Sequence, residues 1–358
     1  MISKTERDSA PIPSAADAGT KPFALLACEP RVAESVFSPE AWRRLGDCVR
    51  IDPRRFVRSF EDELLGPDLA ACEILITGWG SPRLDAAALA RMPRLRHIVH
   101  SAGTVKVFLD PAVIASGVVV SSAAEANAIP VAEYTLAAVI LGAKRAFTLA
   151  DRLRAGRLDD AGTHRDLRGL PWLGTRGLTV GVIGASRIGA RVVRLVRTVL
   201  DAGVLLHDPY TDAGLTADPG VRRVGLDELL RGSDVVTVHA PLTAETAGLI
   251  GARELALMPD GAVLVNTARG GLVDTDALRA QVLSGRLDAV LDVTEPEPLP
   301  VGDGLFGAPN AFLTPHIAGA LGNETSRLGD LAVDEVERIA AGRGPRHAVD
   351  PASFGRIA

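Results

Sequence analysis

Short apolar runs alternate with helix-forming segments over the first third of the chain. Four of these runs have the length of buried strands: Phe23–Cys28, Ile74–Thr77, His97–His100 and Val118–Ser121. Helix-forming segments such as Leu84–Ala90 lie between them. Because strands that alternate with helices form parallel sheets, we predict that residues 23–126 form one α/β unit.

A second and more regular series of apolar runs begins at Leu178. It gives six predicted strands: Leu178–Ile183, Val204–His207, Val235–His239, Ala262–Asn266, Ala289–Val293 and Ala311–Thr314. Six strands separated by helices form a complete dinucleotide-binding sheet. Before this series, the pattern predicts a long helix at Val131–Phe147, with Pro130 in its first turn. A polar, glycine-rich loop that contains Trp172 follows at Gly156–Arg176.

The two ends of the chain have different patterns. Met1–Pro22 is rich in Ser, Ala, Asp, Pro and Lys and lacks the apolar stretch of a signal peptide, so we predict a disordered leader. Asn323–Ala341 has a helical pattern without strands of its own to pack against. We therefore place residues 320–358 with the first domain, which becomes discontinuous around a second domain at residues 127–319.

Composition narrows the class of protein. At 358 residues the chain is long enough for two domains, since single cores stop growing at about 250–300 residues. The net charge of −5 does not indicate binding to nucleic acid or to an anionic membrane. The most apolar helical stretch, Val131–Ala143, is too short to span a bilayer, so we expect a soluble protein. Cys28, Cys48 and Cys72 show no Cys-x-x-Cys spacing and indicate a reducing, cytoplasmic setting without disulfides.

The turn after the first strand of the second series is a candidate phosphate-binding loop. It has the sequence Gly184-Ala-Ser-Arg-Ile-Gly189, in which Ser186 replaces the middle glycine of the usual G-x-G-x-x-G pattern. The following helix offers unpaired N–H groups and a partial positive charge to a pyrophosphate, and Arg187 in its first turn is placed to reach the same group. A tight strand–helix turn without a ligand is the alternative.

Asp208 strengthens the interpretation as a dinucleotide site. It lies 19 residues beyond Gly189, at the end of the next predicted strand, where a carboxylate can accept hydrogen bonds from both ribose hydroxyls. A carboxylate in this place repels a 2′-phosphate. The sequence therefore predicts NAD rather than NADP as the cofactor.

Three residues suited to carbonyl chemistry follow three successive strands of the second series. Arg269 can grip a substrate carboxylate in a two-pronged way and polarise the neighbouring carbonyl. His316 can donate a proton to the carbonyl oxygen while hydride arrives at carbon, and Glu297 can fix its tautomer and favour its protonated form. Together they predict a nicotinamide-dependent dehydrogenase of small oxo or hydroxy acids.

The motifs as a set resemble those of the D-isomer-specific 2-hydroxyacid dehydrogenase family. The matching stretches are Val-Gly-Val-Ile-Gly-Ala-Ser-Arg-Ile-Gly189, His239-Ala-Pro-Leu-Thr243, Asn266-Thr-Ala-Arg-Gly270, Leu291-Asp-Val-Thr-Glu-Pro-Glu-Pro298 and Thr314-Pro-His-Ile-Ala-Gly319. The resemblance is dense over residues 178–320 and looser over residues 95–145. It implies an α/β fold of two Rossmann-like domains, in which a doubly wound parallel NAD-binding sheet is inserted in a discontinuous, flavodoxin-like substrate domain.

The resemblance also implies roles for individual residues. Arg269, Glu297 and His316 take the catalytic roles, and Asp292 holds the nicotinamide amide. The residues assigned to NAD are Gly184, Ser186, Arg187, Ile188, Gly189, Asp208, His239, Ala240, Pro241, Thr246, Thr267, Ala268, Arg269, Asp292, His316, Ala318 and Gly319. Those assigned to the substrate are Ser101, Ala102 and Gly103, whose backbone N–H groups bind a carboxylate, with Arg269, Trp79 and Lys106. No metal is implied, and a homodimer through the NAD-binding domain is expected.

Some points stay open at this level. Val105 stands where the family commonly has Asp, and the following Lys106 either accepts a second anionic group of the substrate or is solvated. Trp79 is either a pocket wall or ordinary loop packing. Formate dehydrogenases of this fold have Gln where this chain has Glu297, which argues against that subgroup. A corepressor-like protein that binds NAD(H) without turnover is the alternative function, and we expect no regulatory domain of the kind found on many phosphoglycerate dehydrogenases.

Overall fold

The computed structural model of this protein describes residues 21–156, 173–210 and 214–356. Nearly all of the predicted leader and most of the predicted loop at Gly156–Arg176, including Trp172, lie outside the described residues. The chain divides into two compact units. One comprises the chain up to Ala123 together with Thr325–Pro351, and the other comprises Ala124–Glu324 with the residues from Ala352 onward. The predicted boundary at residues 126 and 127 falls inside a helix.

The first unit is built on a parallel sheet with the strand order β1-β2-β3-β4. Its strands are β1 (Ala24–Ala27), β2 (Ile74–Thr77), β3 (His97–His100) and β4 (Val119–Ser122). Two isolated bridges, from Phe23 to Arg50 and from Leu26 to Phe56, add a fifth segment beside β1. Because Leu26 pairs with Ile76 of β2 on its other side, the order by position in the chain is 2-1-3-4-5, which is flavodoxin-like.

Short helices connect these strands, and the last long helix of the chain packs against them. The helices of this unit are α1 (Pro30–Val36), α2 (Pro39–Cys48), α3 (Gly66–Ala71), α4 (Ala86–Ala90), α5 (Pro111–Ala115) and α12 (Thr325–Ala340). Arg44 of α2 forms salt bridges with Asp334 and Glu337 of α12, with N–O distances of 2.6 and 2.7 Å. The hydroxyl of Thr325 donates to the carbonyl of Ser35. Helix α12 therefore belongs to the first unit, far along the chain from its strands.

The second unit is built on a seven-stranded parallel sheet with the order β11-β10-β9-β8-β5-β6-β7. Its strands are β5 (Thr179–Ile183), β6 (Gly203–His207), β7 (Val221–Arg223), β8 (Val235–Val238), β9 (Val263–Asn266), β10 (Asp288–Leu291) and β11 (Ala311–Leu313). The order reverses between β5 and β8, which is the switch point where open α/β sheets bind ligands. The predicted fold class is confirmed.

Helices cover both faces of this sheet. They are α6 (Ala124–Ala143), α7 (Ala146–Arg154), α8 (Arg187–Leu195), α9 (Leu226–Gly232), α10 (Ala252–Leu257) and α11 (Thr275–Leu283). Along β5, Val180 and Val182 pack into the apolar layer under α6 and α8, whereas Ile183 packs into the layer on the opposite face. Burial on both faces explains why the strands read as continuous apolar runs.

Two predictions about secondary structure were wrong. Strand β7 was missed, because it has three residues at the edge of the sheet and two of them, Arg222 and Arg223, are exposed. The long helix was placed too late: α6 begins at Ala124, and Pro130 lies inside it. The alanine-rich start of α6 has a high helix propensity, which outweighs the N–H that proline removes. The helix ends before Arg145, whose φ of 51° interrupts it ahead of α7.

The true length of α6 also changes the comparison with a membrane span. With 20 residues it is long and apolar enough to cross a bilayer, so the argument that it is too short was wrong. More than half of its most apolar window is buried inside the structure. Ala132, Ala138 and Val139 belong to the apolar layer between α6 and the sheet. Burial of this kind is typical of a core helix.

Candidate functional site

The predicted site residues of the second unit lie at one edge of its sheet. Because all its strands are parallel, their carboxyl ends share this edge. Gly184 follows β5, Asp208 follows β6, and His239 follows β8. The remaining strands lead into three further groups, Thr267 to Arg269 after β9, Asp292 to Glu297 after β10 and Thr314 to Gly319 after β11. The sheet thus brings the predicted cofactor and catalytic residues of this unit to the same edge.

The β5–α8 turn is too tight for side chains at its two glycines. Gly184 has a φ of +93°, and a Cβ there would lie 2.6 Å from the backbone nitrogen of Ala240. A Cβ at Gly189 would collide with the carbonyl of Gly184. Ile188, between them, packs against the apolar layer under α8. The turn therefore leaves the start of α8 open to a close approach by a phosphate, as the cofactor requires.

Ser186 and Asp208 are placed to bind two neighbouring parts of a dinucleotide, its phosphate and its ribose. The Ser186 hydroxyl caps α8 by accepting from the N–H of Gly189 at 3.4 Å, and it can still donate its own proton to a phosphate oxygen. Asp208 accepts from the N–H of Ala185 at 2.5 Å and from the N–H of Tyr210 at 2.6 Å. Each carboxylate oxygen holds one backbone donor and keeps a lone pair for a ribose hydroxyl. The carboxylate also ties the phosphate turn to the end of β6.

Arg187 has an acidic neighbour that sequence reasoning missed. Glu125, in the first turn of α6, lies 3.6 Å from the guanidinium of Arg187 and forms a second ion pair with Arg191. The pair joins residues 62 positions apart in the chain, so no local pattern signals it. Glu125 reduces the positive charge that the start of α8 presents.

The loop after β8 forms the other wall of the turn. His239 is fully buried, its Nε2 lies 2.9 Å from the hydroxyl of Thr237, and burial lowers its pKa to about 3. Its Nδ1 has no hydrogen-bond partner among the described residues. Ala240 is buried beside Gly184, and the Thr246 hydroxyl donates to the carbonyl of Pro241 at 2.6 Å. These contacts hold the loop after β8 against the β5–α8 turn.

Arg269 is held by the strand end that precedes it. The side chain of Asn266 donates to the carbonyl of Arg269 at 2.9 Å and accepts from the N–H of Ala268 at 3.0 Å. Burial lowers the pKa of the Arg269 guanidinium, and the nearby Glu297 carboxylate acts in the opposite direction. An arginine nevertheless stays protonated in proteins, so the group presents a planar cation. Thr267 is buried, with its hydroxyl 2.8 Å from that of Thr135.

His316 and Glu297 form a hydrogen-bonded pair. The Nδ1 of His316 lies 2.7 Å from Oε1 of Glu297, and both side chains are about half exposed. With Glu297 accepting at Nδ1, the Nε2 of the ring is the atom left to exchange a proton with a bound molecule. The backbone of His316 has a φ of 55°, which is unusual for a residue with a side chain.

Asp292 is the residue that holds the His316 loop. Its Oδ1 accepts from the hydroxyl of Thr314 at 2.6 Å and from the N–H of Ile317 at 2.8 Å. Its Oδ2 accepts from the N–H of Ala318 at 2.9 Å, and its carbonyl accepts from the N–H of His316 at 2.9 Å. The resemblance assigned Asp292 to the nicotinamide amide, whereas these four contacts give it a structural role that sequence reasoning missed. They stabilise the left-handed conformation of His316.

Gly319, which was predicted to bind NAD, lies just beyond the His316 loop. Gly319 follows Ala318, and a Cβ there would lie 3.2 Å from the side-chain oxygen of Asn127. That oxygen accepts from the N–H of Ala320 at 3.0 Å. Asn127 on α6 thereby fixes the chain where it leaves the edge.

Apart from Arg269, the predicted substrate residues lie in the first unit, after β2 and β3. Ser101 and Ala102 are buried, and Ser101 donates to the carbonyl of Thr77 through both its N–H, at 2.8 Å, and its hydroxyl, at 2.9 Å. Gly103 and Lys106 are partly buried. Trp79 is 40% exposed, so packing in the core does not account for its indole ring. Ser101 uses its N–H within the sheet, whereas the N–H groups of Ala102 and Gly103 have no backbone partner among the described residues and can bind a ligand.

Comparison with known proteins identifies the family. The family model for the NAD-binding domain of D-isomer-specific 2-hydroxyacid dehydrogenases matches residues 136–318, which is just over half of the chain. The chain belongs to the D-isomer-specific 2-hydroxyacid dehydrogenase family. The matched residues lie within the second unit and include the β5–α8 turn, Asp208 and His316. The predicted family and the predicted cofactor, NAD, are confirmed.

Relatives within the family have different substrates in their names. The chain is 36% identical over 236 residues to D-3-phosphoglycerate dehydrogenase of Archaeoglobus fulgidus, covering 65% of this chain but only 43% of that protein. It is 36% identical over 262 residues to (S)-sulfolactate dehydrogenase of Chromohalobacter salexigens, covering 72% of this chain and 81% of that protein. The chain thus spans about half the length of the phosphoglycerate dehydrogenases it matches.

A solved structure within the family supports the same assignment. D-lactate dehydrogenase from Aquifex aeolicus, complexed with NAD and lactic acid, is 27% identical to this chain. The alignment covers 89% of this chain and 96% of that one, with a TM-score of 0.66. The likeness therefore extends over both units of the chain.

Proposed function

We propose that this chain transfers a hydride between NAD(H) and C2 of a small 2-oxo or D-2-hydroxy acid. The observation that carries the proposal is the His316–Glu297 pair, whose 2.7 Å contact lies at the same sheet edge as a turn fitted to a dinucleotide. When bound, the nicotinamide supplies or accepts the hydride. The protein's own task is then to bind the acid, polarise its carbonyl and exchange one proton.

The proton exchange falls to His316. Glu297 accepts at Nδ1, so the ring carries its transferable proton on Nε2. In the reductive direction the ring gives this proton to the carbonyl oxygen, and in the oxidative direction it takes the proton of the hydroxyl. The contacts of Asp292 hold the backbone of the His316 loop in place.

Arg269 accounts for the choice of an acid as substrate. Its partly buried guanidinium offers paired N–H donors whose geometry matches a carboxylate, and the same cation polarises the adjacent carbonyl. In the first unit, we propose that the N–H groups of Ala102 and Gly103 bind the substrate carboxylate. Lys106 would bind a second anionic group of the substrate. Such a group is present in both 3-phosphoglycerate and sulfolactate, which appear in the names of two relatives.

A panel of 2-oxo acids tests this function. We expect the purified protein to oxidise NADH with at least one of glyoxylate, hydroxypyruvate, phenylpyruvate or a phosphorylated or sulfonated 2-oxo acid. A preference for the doubly anionic compounds that is lost in Lys106→Met would support the role of Lys106. Tight NADH binding without turnover of any member of the panel would contradict the proposal and favour the corepressor-like alternative.

We further propose a cytoplasmic homodimer that associates through the second unit and binds neither nucleic acid nor membranes. The homodimer is supported by exposed apolar side chains of the second unit: Leu141 on α6 is 41% exposed, Leu153 on α7 is 63% exposed, and Phe312 lies on the edge strand β11. The cytoplasm is supported by the three cysteines, which are all free thiols, as expected in a reducing compartment. Light scattering should give twice the monomer mass, and Leu153→Glu should lower it. An unchanged monomer mass in the native protein would contradict the dimer.

A further inference from the structure

Two arginines of α8 share one carboxylate that the predicted cofactor site does not include. Glu125, in the first turn of α6, forms an ion pair with Arg191 through one oxygen, while its other oxygen lies 3.6 Å from Nε of Arg187. Helices α6 and α8 both belong to the second unit and pack into the same apolar layer of its core. The fold therefore places Glu125 beside the first turn of α8, where the β5–α8 turn ends.

The two contacts of Glu125 differ in strength. Nη2 of Arg191 donates a hydrogen bond to Oε1 of the carboxylate. The distance of 3.6 Å to Arg187 exceeds the about 2.7–2.9 Å of a hydrogen bond between charged groups, and the Arg187 side chain is 46% exposed. Attraction between exposed charges is screened by water and is weak. Arg191 thus fixes the carboxylate, whereas Arg187 can turn away from it at small cost.

Arg187 is placed to meet a second anion. It is the first residue of α8, directly after the Ser186 cap, at the helix end that carries a partial positive charge. The tight turn at Gly184 lets the pyrophosphate of a dinucleotide approach this end. A guanidinium offers several N–H donors to phosphate oxygens. Glu125 and the pyrophosphate are therefore two anions that compete for the guanidinium of Arg187.

We propose that Glu125 sets the affinity for NAD(H) by competing with its pyrophosphate for Arg187. In the free protein the carboxylate holds Arg187, and when the dinucleotide binds it yields Arg187 and keeps Arg191. Glu125 therefore weakens cofactor binding and favours release of the used dinucleotide. The inference goes beyond the proposed reaction, because it concerns cofactor affinity and holds for any acid as substrate. A glutamate that only fastened α6 to α8 would have the opposite effect, since its loss would loosen the helix that meets the phosphate.

Glu125→Gln separates these two roles. Glutamine keeps the size of the side chain and can still accept from Arg191, but it carries no charge. We expect the Kd for NADH, measured by fluorescence titration at low salt, to fall about three- to fivefold, and the gain to shrink as the ionic strength rises. Asp260→Asn removes an exposed carboxylate just before β9, at the opposite edge of the sheet, and should leave the Kd unchanged. An unchanged or higher Kd in Glu125→Gln would overturn the proposal.

Two arginine variants test the exchange itself. Arg187→Gln should raise the Kd for NADH, and Glu125→Gln added to it should bring no gain, because the contested guanidinium is gone. Arg191→Gln leaves Arg187 as the one cation within ion-pair distance of Glu125 in the described part of the chain, so the Kd should also rise. That rise should be absent when Glu125→Gln is already in place. An equal gain from Glu125→Gln with and without Arg187 would contradict the competition. If the wild-type protein turns over no 2-oxo acid, the proposed function fails, whereas these titrations still report on Glu125.

Discussion

In the second unit, parallel strands end in charged or ionisable side chains, with Asp208 after β6, Arg269 after β9 and His316 after β11. In the first unit, β2 and β3 end in Thr77 and His100, which are buried and neutral. Parallel sheets therefore end in side chains that can react or bind ions in the second unit, and in buried neutral side chains that can only support the backbone in the first unit. This difference predicts that variants of the second unit change turnover or cofactor binding, with or without a change in KM, whereas variants of the first unit change KM alone.

The largest effect should come from the proton donor. His316→Ala removes the Nε2–H that protonates the carbonyl oxygen in the proposed reaction, so we expect kcat to fall by roughly 10²–10⁴-fold, the usual worth of a general acid. The Kd for NADH should barely change. Steady-state kinetics with the best 2-oxo acid and fluorescence titration with NADH measure the two quantities.

Two further variants sharpen this result. Glu297→Gln keeps the shape at Nδ1 but removes the charge, so kcat should fall less than in His316→Ala. His347→Ala changes a histidine of the first unit and should leave kcat unaltered. A kcat within about threefold of wild type in His316→Ala would assign the proton transfer elsewhere.

The next effect concerns the substrate carboxylate. Arg269→Lys keeps the positive charge and loses the planar pair of donors, so kcat/KM should drop by at least about a hundredfold with a rise in KM. Arg279→Lys, in a partly buried ion pair with Asp303, is the matched control and should leave kcat/KM unchanged. Efficient reduction of a neutral ketone, undiminished in Arg269→Lys, would break the assignment to 2-hydroxy acids.

Cofactor choice should respond more modestly. Because the role predicted for Asp208 is to accept from the ribose hydroxyls and to repel a 2′-phosphate, NADH should be preferred to NADPH by at least about tenfold, or about 1.4 kcal/mol. Asp208→Ser should narrow this ratio of kcat/KM values. Asp201→Ser, at an exposed position after α8, should leave it unchanged. Equal use of both cofactors by the native protein would show that Asp208 does not select between them.

The sequence predicted the parts of the site that are local in the chain. Glycines in the β5–α8 turn and charged residues after apolar strands appear as short motifs, because a parallel sheet places all strand ends at one edge. Strand β7 gave no such signal, since an exposed edge strand needs no apolar run.

Contacts between distant residues could not be predicted. Glu125 approaches Arg187, and Asp292 collects donors from Thr314, Ile317 and Ala318, only after the helices and the sheet have packed. Neither arrangement has a fixed spacing in the sequence. The sequence therefore shows which residues could do the chemistry, whereas the fold shows which residues hold them in place.

The smallest expected effect concerns a property that the two units share. His100 in the first unit and His239 in the second are both buried, and burial lowers the pKa of each to about 3. An unfolded histidine has a pKa of about 6.5, so between these values the unfolded chain binds more protons than the folded one. The contribution of each neutral histidine to the free energy of unfolding is therefore fully present above about pH 6.5 and is lost as the pH falls toward 3.

His100→Gln removes one of these two contributions. When the pH is lowered from about 6 to about 5, each buried neutral histidine should lower the free energy of unfolding by about 1 kcal/mol. The same change in pH should therefore lower the free energy of unfolding of His100→Gln by about 1 kcal/mol less than that of the wild type. Chemical unfolding at the two pH values measures the difference, with His347→Gln as the control. An equally steep fall in wild type and variant would mean that His100 is charged in the folded protein. Its Nδ1 would then donate to the Thr77 hydroxyl.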